Sequence, residues 1–176
     1  MDIGEDGFSF RLGSRPQEVP MTSRQDFTDQ EWTRIRRAPL VAGMAISLAD
    51  PGGPIELAKE TMASLRSATL PPSQEELLAA VALDVQALAQ HRQNPLGDFK
   101  PRGGQQVLEE LRGVNELVTA KATPQEAEAF RAWLLAAAQA AADAGKEGGF
   151  MGFGAERVSA GEQRMLDQVR AALGMA

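Results

Sequence analysis

Four times in this chain a serine or threonine is followed three residues later by a glutamate, at the head of a stretch with helical apolar spacing. The four boxes are Thr28–Glu31, Ser73–Glu76, Thr123–Glu126 and Ser159–Glu162. In this pattern the hydroxyl accepts from an amide of the first helical turn, and the glutamate reaches back to the amide of the capping residue. Each box therefore predicts a helix start. Two further starts come from Pro54, suited to a first helical position, and from the apolar series Val107, Leu111, Val114 and Val118. Strand-like alternation is nearly absent and the connections are short. The expectation is an all-α, single-domain bundle of about six helices.

The apolar stripes predict what each helix buries. The first helix carries Trp32, Ile35, Pro39, Ala42 and Ile46, widened by Val41, Ala45 and Leu48, and Phe27 stands where a hydrophobic staple belongs. Pro39 removes one donor and is expected to bend or split it. Asp50-Pro51-Gly-Gly53 stops it. The second helix presents Ile55, Ala58, Met62 and Leu65, and ends at Thr69-Leu-Pro-Pro72. The third presents Leu77, Leu78, Val81, Val85 and Leu88; the fifth presents Ala127, Phe130, Leu134, Ala137, Ala138 and Ala141. The sixth carries Met165, Leu166, Val169 and Leu173 up to Gly174. Residues 1–26 mix Gly, Pro, Ser and charges around a short Phe8-Ser-Phe-Arg-Leu12 alternation, and read as a poorly ordered arm ahead of a helical domain spanning 27–176.

Charge and composition remove several function classes. The net charge of −6 is spread over the whole length, so no basic stripe exists for a phosphate backbone, and nucleic acid is not an expected partner. The basic run Arg34-Ile-Arg36-Arg37 reads as a solvated helix face. With no cysteine, disulfides and thiolate metal sites are excluded. No apolar run approaches the roughly 20 residues that span a bilayer. Acidic residues near the N-terminus sit where a signal peptide carries positive charge. A soluble, cytoplasmic protein without membrane insertion is expected.

No enzyme constellation is legible. The single histidine, His91, lies near the end of the third helix, where a protonated imidazole suits the dipole. The segment Gly148-Gly-Phe-Met-Gly-Phe-Gly154 follows a helix rather than a strand, so it reads as a loop whose Phe150, Met151 and Phe153 plug the core, not as a phosphate cradle. Two acidic corners remain. Asp50 ends one helix with Glu56 opening the next; Asp143 ends another with Glu162 opening the last, and Glu147 and Glu156 lie in the loop between. Carboxylates around a turn suit a hard cation such as Ca²⁺ or Mg²⁺. A glutamate in a first helical turn is also explained by capping and the helix dipole alone. The two corners read as copies of one helix–acidic corner–helix unit, with the middle of the chain packed between them.

The stretch Leu40-Val-Ala-Gly-Met-Ala-Ile-Ser-Leu-Ala-Asp50, followed by Pro-Gly-Gly-Pro-Ile-Glu56, resembles the helix–Ala-Asp-Gly–loop–acid–helix unit of the TerB-like family linked to tellurite resistance. Ala136 to Asp143 and Ser159-Ala-Gly-Glu162 through Gly174 stand in the place of the family's second unit. The resemblance covers roughly residues 28–68 and 124–174. Here Asp50 is followed by Pro rather than Gly, the second loop is longer, and fewer acids follow Asp50. The resemblance implies an all-helical module in a bacterial stress response, with an acidic metal-binding surface falling on Asp50, Glu56, Asp143 and Glu162.

Three readings of function follow. One is a non-enzymatic TerB-like scaffold or sensor that binds a divalent cation at the acidic corners. Another is a metal-free interaction module for a protein partner or a second copy of the chain, using the Phe/Met loop or the N-terminal arm. The last is an enzyme in which clustered carboxylates act as acid and base.

Overall fold

A computed structural model of the protein describes residues 21–51, 53–146 and 158–175, the side chains of Glu56 and Lys146 excepted. Within these residues six helices form, α1 (Asp29–Ala49), α2 (Pro54–Thr69), α3 (Glu76–Gln90), α4 (Gly104–Lys121), α5 (Pro124–Lys146) and α6 (Ala160–Ala172), and no strand. The fold is an all-α bundle.

Three of the four boxes are formed. Thr28 accepts from the Glu31 amide and Glu31 from the Thr28 amide, and Ser159 and Glu162 do the same. Thr123 and Glu126 exchange the corresponding bonds at the head of α5, at 3.1 and 3.2 Å. The fourth is not formed: α3 begins only at Glu76, with Glu75 as the capping residue and no side-chain cap bond. Glu75 is engaged elsewhere, accepting from Gln125 Nε2 at the start of α5 at 2.8 Å. The Ser73 hydroxyl is left buried without a partner.

Most of the expected stripes of α1, α3, α4, α5 and α6 line one core; Val85 of α3 packs instead with Leu40 and Ala68 in a second cluster, and Leu88 is only half-buried. Phe27 packs on Trp32 with ring centroids 5.9 Å apart, which completes the staple. Trp32 Nε1 donates to Asp84 on α3 at 2.8 Å, so the indole is anchored at both its apolar and polar ends. Leu48 departs from the expectation and is exposed. α1 is not split at Pro39: the ring is buried, and packing on neighbouring helices outweighs one missing donor.

The order of packing corrects the expectation that the middle of the chain separates the two helical pairs. α5 lies directly along both α1 and α2, and α3 and α4 flank that central layer. The reason is the slim face of α5: Ala137, Ala138, Ala141 and Ala142 are fully buried and let other backbones approach closely. α6 closes the bundle against α1, α4 and α5.

The arginine run of α1 also differs from its expected solvated state. Arg34 and Arg37 converge on Glu110 of α4, at 3.0 and 2.7 Å, and Arg36 pairs with Asp84. The Arg37 guanidinium also stacks over Phe99, 4.6 Å from the ring centroid, holding the α3–α4 connection on the bundle. The packed body reaches back beyond Phe27. Ser23 and Asp26 close a small capping box around a 3₁₀ turn (Arg24–Asp26), and Thr22 is buried against α5.

Candidate interaction surface

α2 is turned inside out relative to its sequence pattern. Of the expected inward stripe, Ile55 is 71% and Met62 63% exposed and only Leu65 packs inward, against the cluster of Leu40, Ala68 and Val85, while Glu60, Ser64 and Ala68 face the core. Close approach of α1 decides this. A Cβ built on Gly43 would lie 2.7 Å from Ser64 Cβ and still closer to the Ser64 hydroxyl, so only small residues fit where the two helices meet. Ser64 and Ala68 supply them. The buried hydroxyl of Ser64 donates back to the Glu60 carbonyl at 2.8 Å, and Ser47 of α1 donates to the Glu60 carboxylate. Both buried polar groups are thereby satisfied within the helix pair. Trp133 of α5 donates to the Ser67 carbonyl at 2.7 Å and fixes the other side of α2.

With its small and polar face spent on packing, α2 leaves Ile55, Leu57 and Met62 outside. Seven large apolar side chains are exposed among the described residues, and Ile55, Leu57, Met62 and Leu70 belong to α2 or its C-cap. That concentration, not the exposure of any one residue, marks the surface. Ile55, Ala58 and Met62 line a groove of about 540 Å³ with Lys59 and Arg66, bounded by Ala144 of α5. Met62 and Arg66 also line its continuation, about 380 Å³, where α2 meets Gln86 and Ala89 of α3. On the opposite side of α2, Leu57, Met44, Leu96 and Phe99 wall a separate groove of about 480 Å³.

The acidic corners come together at one end of the bundle. The α1 C-terminus meets the α6 N-terminus: Ala49 O and Asp50 Cβ lie 3.3 and 3.8 Å from the point where a Gly161 Cβ would sit. Around the corresponding point at Gly145 stand Glu60 Oε1, at 3.2 Å, and Glu162 Oε1, at 3.7 Å. Asp50 is an exposed C-cap residue. Asp143 is exposed inside α5, which continues past it to Lys146, and accepts from Gln139 Nε2 at 3.1 Å. Glu162 is buried, and its other carboxylate oxygen takes the Ser159 amide at 2.7 Å. The side chain of Glu56, the loop acids Glu147 and Glu156, and the Gly/Phe segment 148–154 lie outside the described residues. Among the described residues no three His, Cys, Asp or Glu side chains are placed to hold a metal ion. Glu60 is the acid that sequence reasoning missed, because an acid inside an amphipathic helix ordinarily marks the solvent side.

His91 is the exposed C-cap residue of α3, as its position in the sequence suggests. No helix among the described residues is long and apolar enough to cross a membrane. Compared with models of known protein families, with characterised proteins and with solved structures, the chain matches none.

Proposed function

We propose that the protein is a non-enzymatic, cytoplasmic interaction module whose partner sits on the outward face of α2. The observation that carries this reading is the inversion of α2. Ile55 and Met62 stay in water while Glu60 and Ser64 are buried, an arrangement unfavourable for an isolated chain and offset when a partner covers the apolar face. A few residues near the centre of an interface carry most of its affinity. Capture from an extract of the source cells is therefore expected to lose at least about tenfold in yield with Ile55→Asp/Met62→Asp. Leu83→Asp, at a residue of α3 that is 65% exposed, should leave the same captured species in place. All variants should melt within a few degrees of one another, because these side chains do not pack on the core. Equal capture by all three chains would overturn the reading.

A second reading is favoured by the meeting of the two acidic corners, and it keeps the TerB-like resemblance: a stress-response module that takes Ca²⁺ or Mg²⁺ at that end of the bundle. Glu162→Ala removes a buried cap and is expected to cost about 1 kcal/mol in EDTA, roughly 2–4 °C in melting temperature for a chain of this size. On the cation reading, millimolar Ca²⁺ or Mg²⁺ raises the melting temperature of the unsubstituted chain, and Asp50→Ala and Glu162→Ala abolish that rise. A melt that ignores both cations would leave the corners as helix ends.

A further inference from the structure

We infer that the α2 groove takes an amphipathic helix whose apolar stripe is flanked by acidic side chains two turns apart. This rests on the interaction-module reading and adds the chemistry of the partner. The first argument is charge. The protein carries six more acidic than basic side chains, yet among the described residues no carboxylate lines either section of the groove. Its charged lining residues, among those described, are Lys59 and Arg66, both positive. Among the described residues no carboxylate pairs with either. They are seven residues apart on α2, which is two helical turns, about 10 Å along one side of the helix. A partner helix lying along the groove matches them with two acids at the same spacing.

The second argument is the shape of the groove and the state of its backbone. It follows α2 from Pro54 to Thr69, and a helix of those 16 residues is about 24 Å long. The ends of α5 and α3, at Ala144 and Ala89, border it. Among the described residues the groove is walled by helices, whose backbone bonds are already made internally, and these offer no strand edge to which an extended peptide could add. An extended segment pressed on Ile55, Ala58 and Met62 would leave its own amides and carbonyls against apolar walls, at a cost. A helix satisfies its backbone before it docks. Met62, shared by the two sections of the groove, is the contact such a helix centres on, and methionine adapts to the shape of what covers it.

The experiment uses the full chain and two fluorescein-labelled peptides of about sixteen residues, each with a leucine stripe at helical spacing. One carries glutamates two turns apart beside the stripe; the other carries lysines there. Fluorescence anisotropy should show the glutamate peptide binding roughly tenfold or more tightly than the lysine peptide, with the gap narrowing at high salt. Lys59→Glu/Arg66→Glu should reverse that order, and Met62→Asp should abolish binding of both. Equal affinities for the two peptides, or a preference unmoved by the charge reversal, would overturn the inference. If Met62→Asp still removes both peptides in that case, the α2 face stands as a docking surface and only the acidic partner falls. Binding that survives Met62→Asp removes the docking surface as well. Two other results assign the groove to a different occupant and overturn the inference. One is self-association of the chain that Met62→Asp abolishes, with neither peptide bound. The other is peptide binding that occurs only after Phe150→Ser/Phe153→Ser, which would give the groove to residues 147–157.

Discussion

Gly43→Ala is expected to lower stability by about 1–3 kcal/mol, although alanine is the better helix former by roughly 1 kcal/mol. At an exposed position in mid-helix the same change would stabilise. The opposite sign follows from one distance: the added methyl would stand 2.7 Å from Ser64 Cβ and closer still to its hydroxyl. Neither atom has room to move, since Ser64 is buried and its hydroxyl is bonded to the Glu60 carbonyl. To accept the methyl, α2 must lift off α1, which weakens the contact of Ser47 with Glu60 and the packing of Ala68. Gly43→Leu is expected to prevent folding to this structure altogether. Ser64→Gly removes the obstructing atoms and should recover part of the loss in Gly43→Ala, although it weakens α2 alone by its own helix propensity. The coupling between the two changes is then favourable and larger than the few tenths of a kcal/mol found for separated sites. Urea denaturation followed by helical circular dichroism gives all four free energies. A more stable Gly43→Ala would mean that α1 and α2 do not meet at this residue.

The same contact explains what the sequence conceals. Thr28, Thr123 and Ser159 could be read as helix caps because capping is local: the donor, the acceptor and the apolar run lie within a few residues. The stripes of α4 and α6 were legible for the same reason, since each helix has one apolar face and it goes inward. α2 also has an apolar face, and the rule fails there because its orientation is set by a glycine in another helix. Nothing in Pro54–Thr69 reports that α1 comes close enough to demand serine and alanine at the crossing. Glu60, which the pattern of α2 does not single out, is therefore buried. Ser73 fails in a related way: the motif is complete, but Glu75 is drawn to Gln125, fifty residues on, and the helix starts at Glu76. The arginines of α1 find Glu110 and Asp84, distant in sequence and on different helices. Of the acidic corners, the helix ends could be read from the residues. That the corners meet, and that Glu60 stands opposite Glu162 around Gly145, is a property of the packing alone.

Glu126→Ala is expected to cost roughly 2–3 kcal/mol, about 4–12 °C in melting temperature, although in sequence it is one more capping glutamate. Its carboxylate is 2% exposed and accepts four hydrogen bonds. Two come from Thr123, the cap of its own helix, at 3.1 Å from the amide and 2.9 Å from the hydroxyl. The other two come from Thr22, 104 residues away, at 3.2 Å from the amide and 2.5 Å from the hydroxyl. One side chain thus caps α5 and pins the chain ahead of α1. Burial pushes this carboxyl up, but the donors from Thr22 and Thr123 together outweigh it, and its pKa lies below the ordinary glutamate value of 4.5. A carboxyl depressed by folding stabilises the protein above its unfolded pKa, and that contribution is lost as pH falls through the lower folded value. Glu126→Gln keeps the shape without the charge. Its deficit against the unsubstituted chain should be constant from about pH 5.5 to 8 and shrink below about pH 4.5. Glu31 is likewise held below the ordinary glutamate value, by the hydrogen bond from Lys121, so the difference between the two chains is the quantity to read, not either curve alone. Release of the Thr22 amide should be visible separately, as faster hydrogen exchange at that residue in Glu126→Ala while the core amides of α4 keep their relative protection. A deficit that does not change with pH, together with unaltered exchange at Thr22, would reduce Glu126 to a helix cap and leave the chain ahead of α1 held by its other contacts, among them Phe27 on Trp32 and Lys121 on the Asp26 carbonyl.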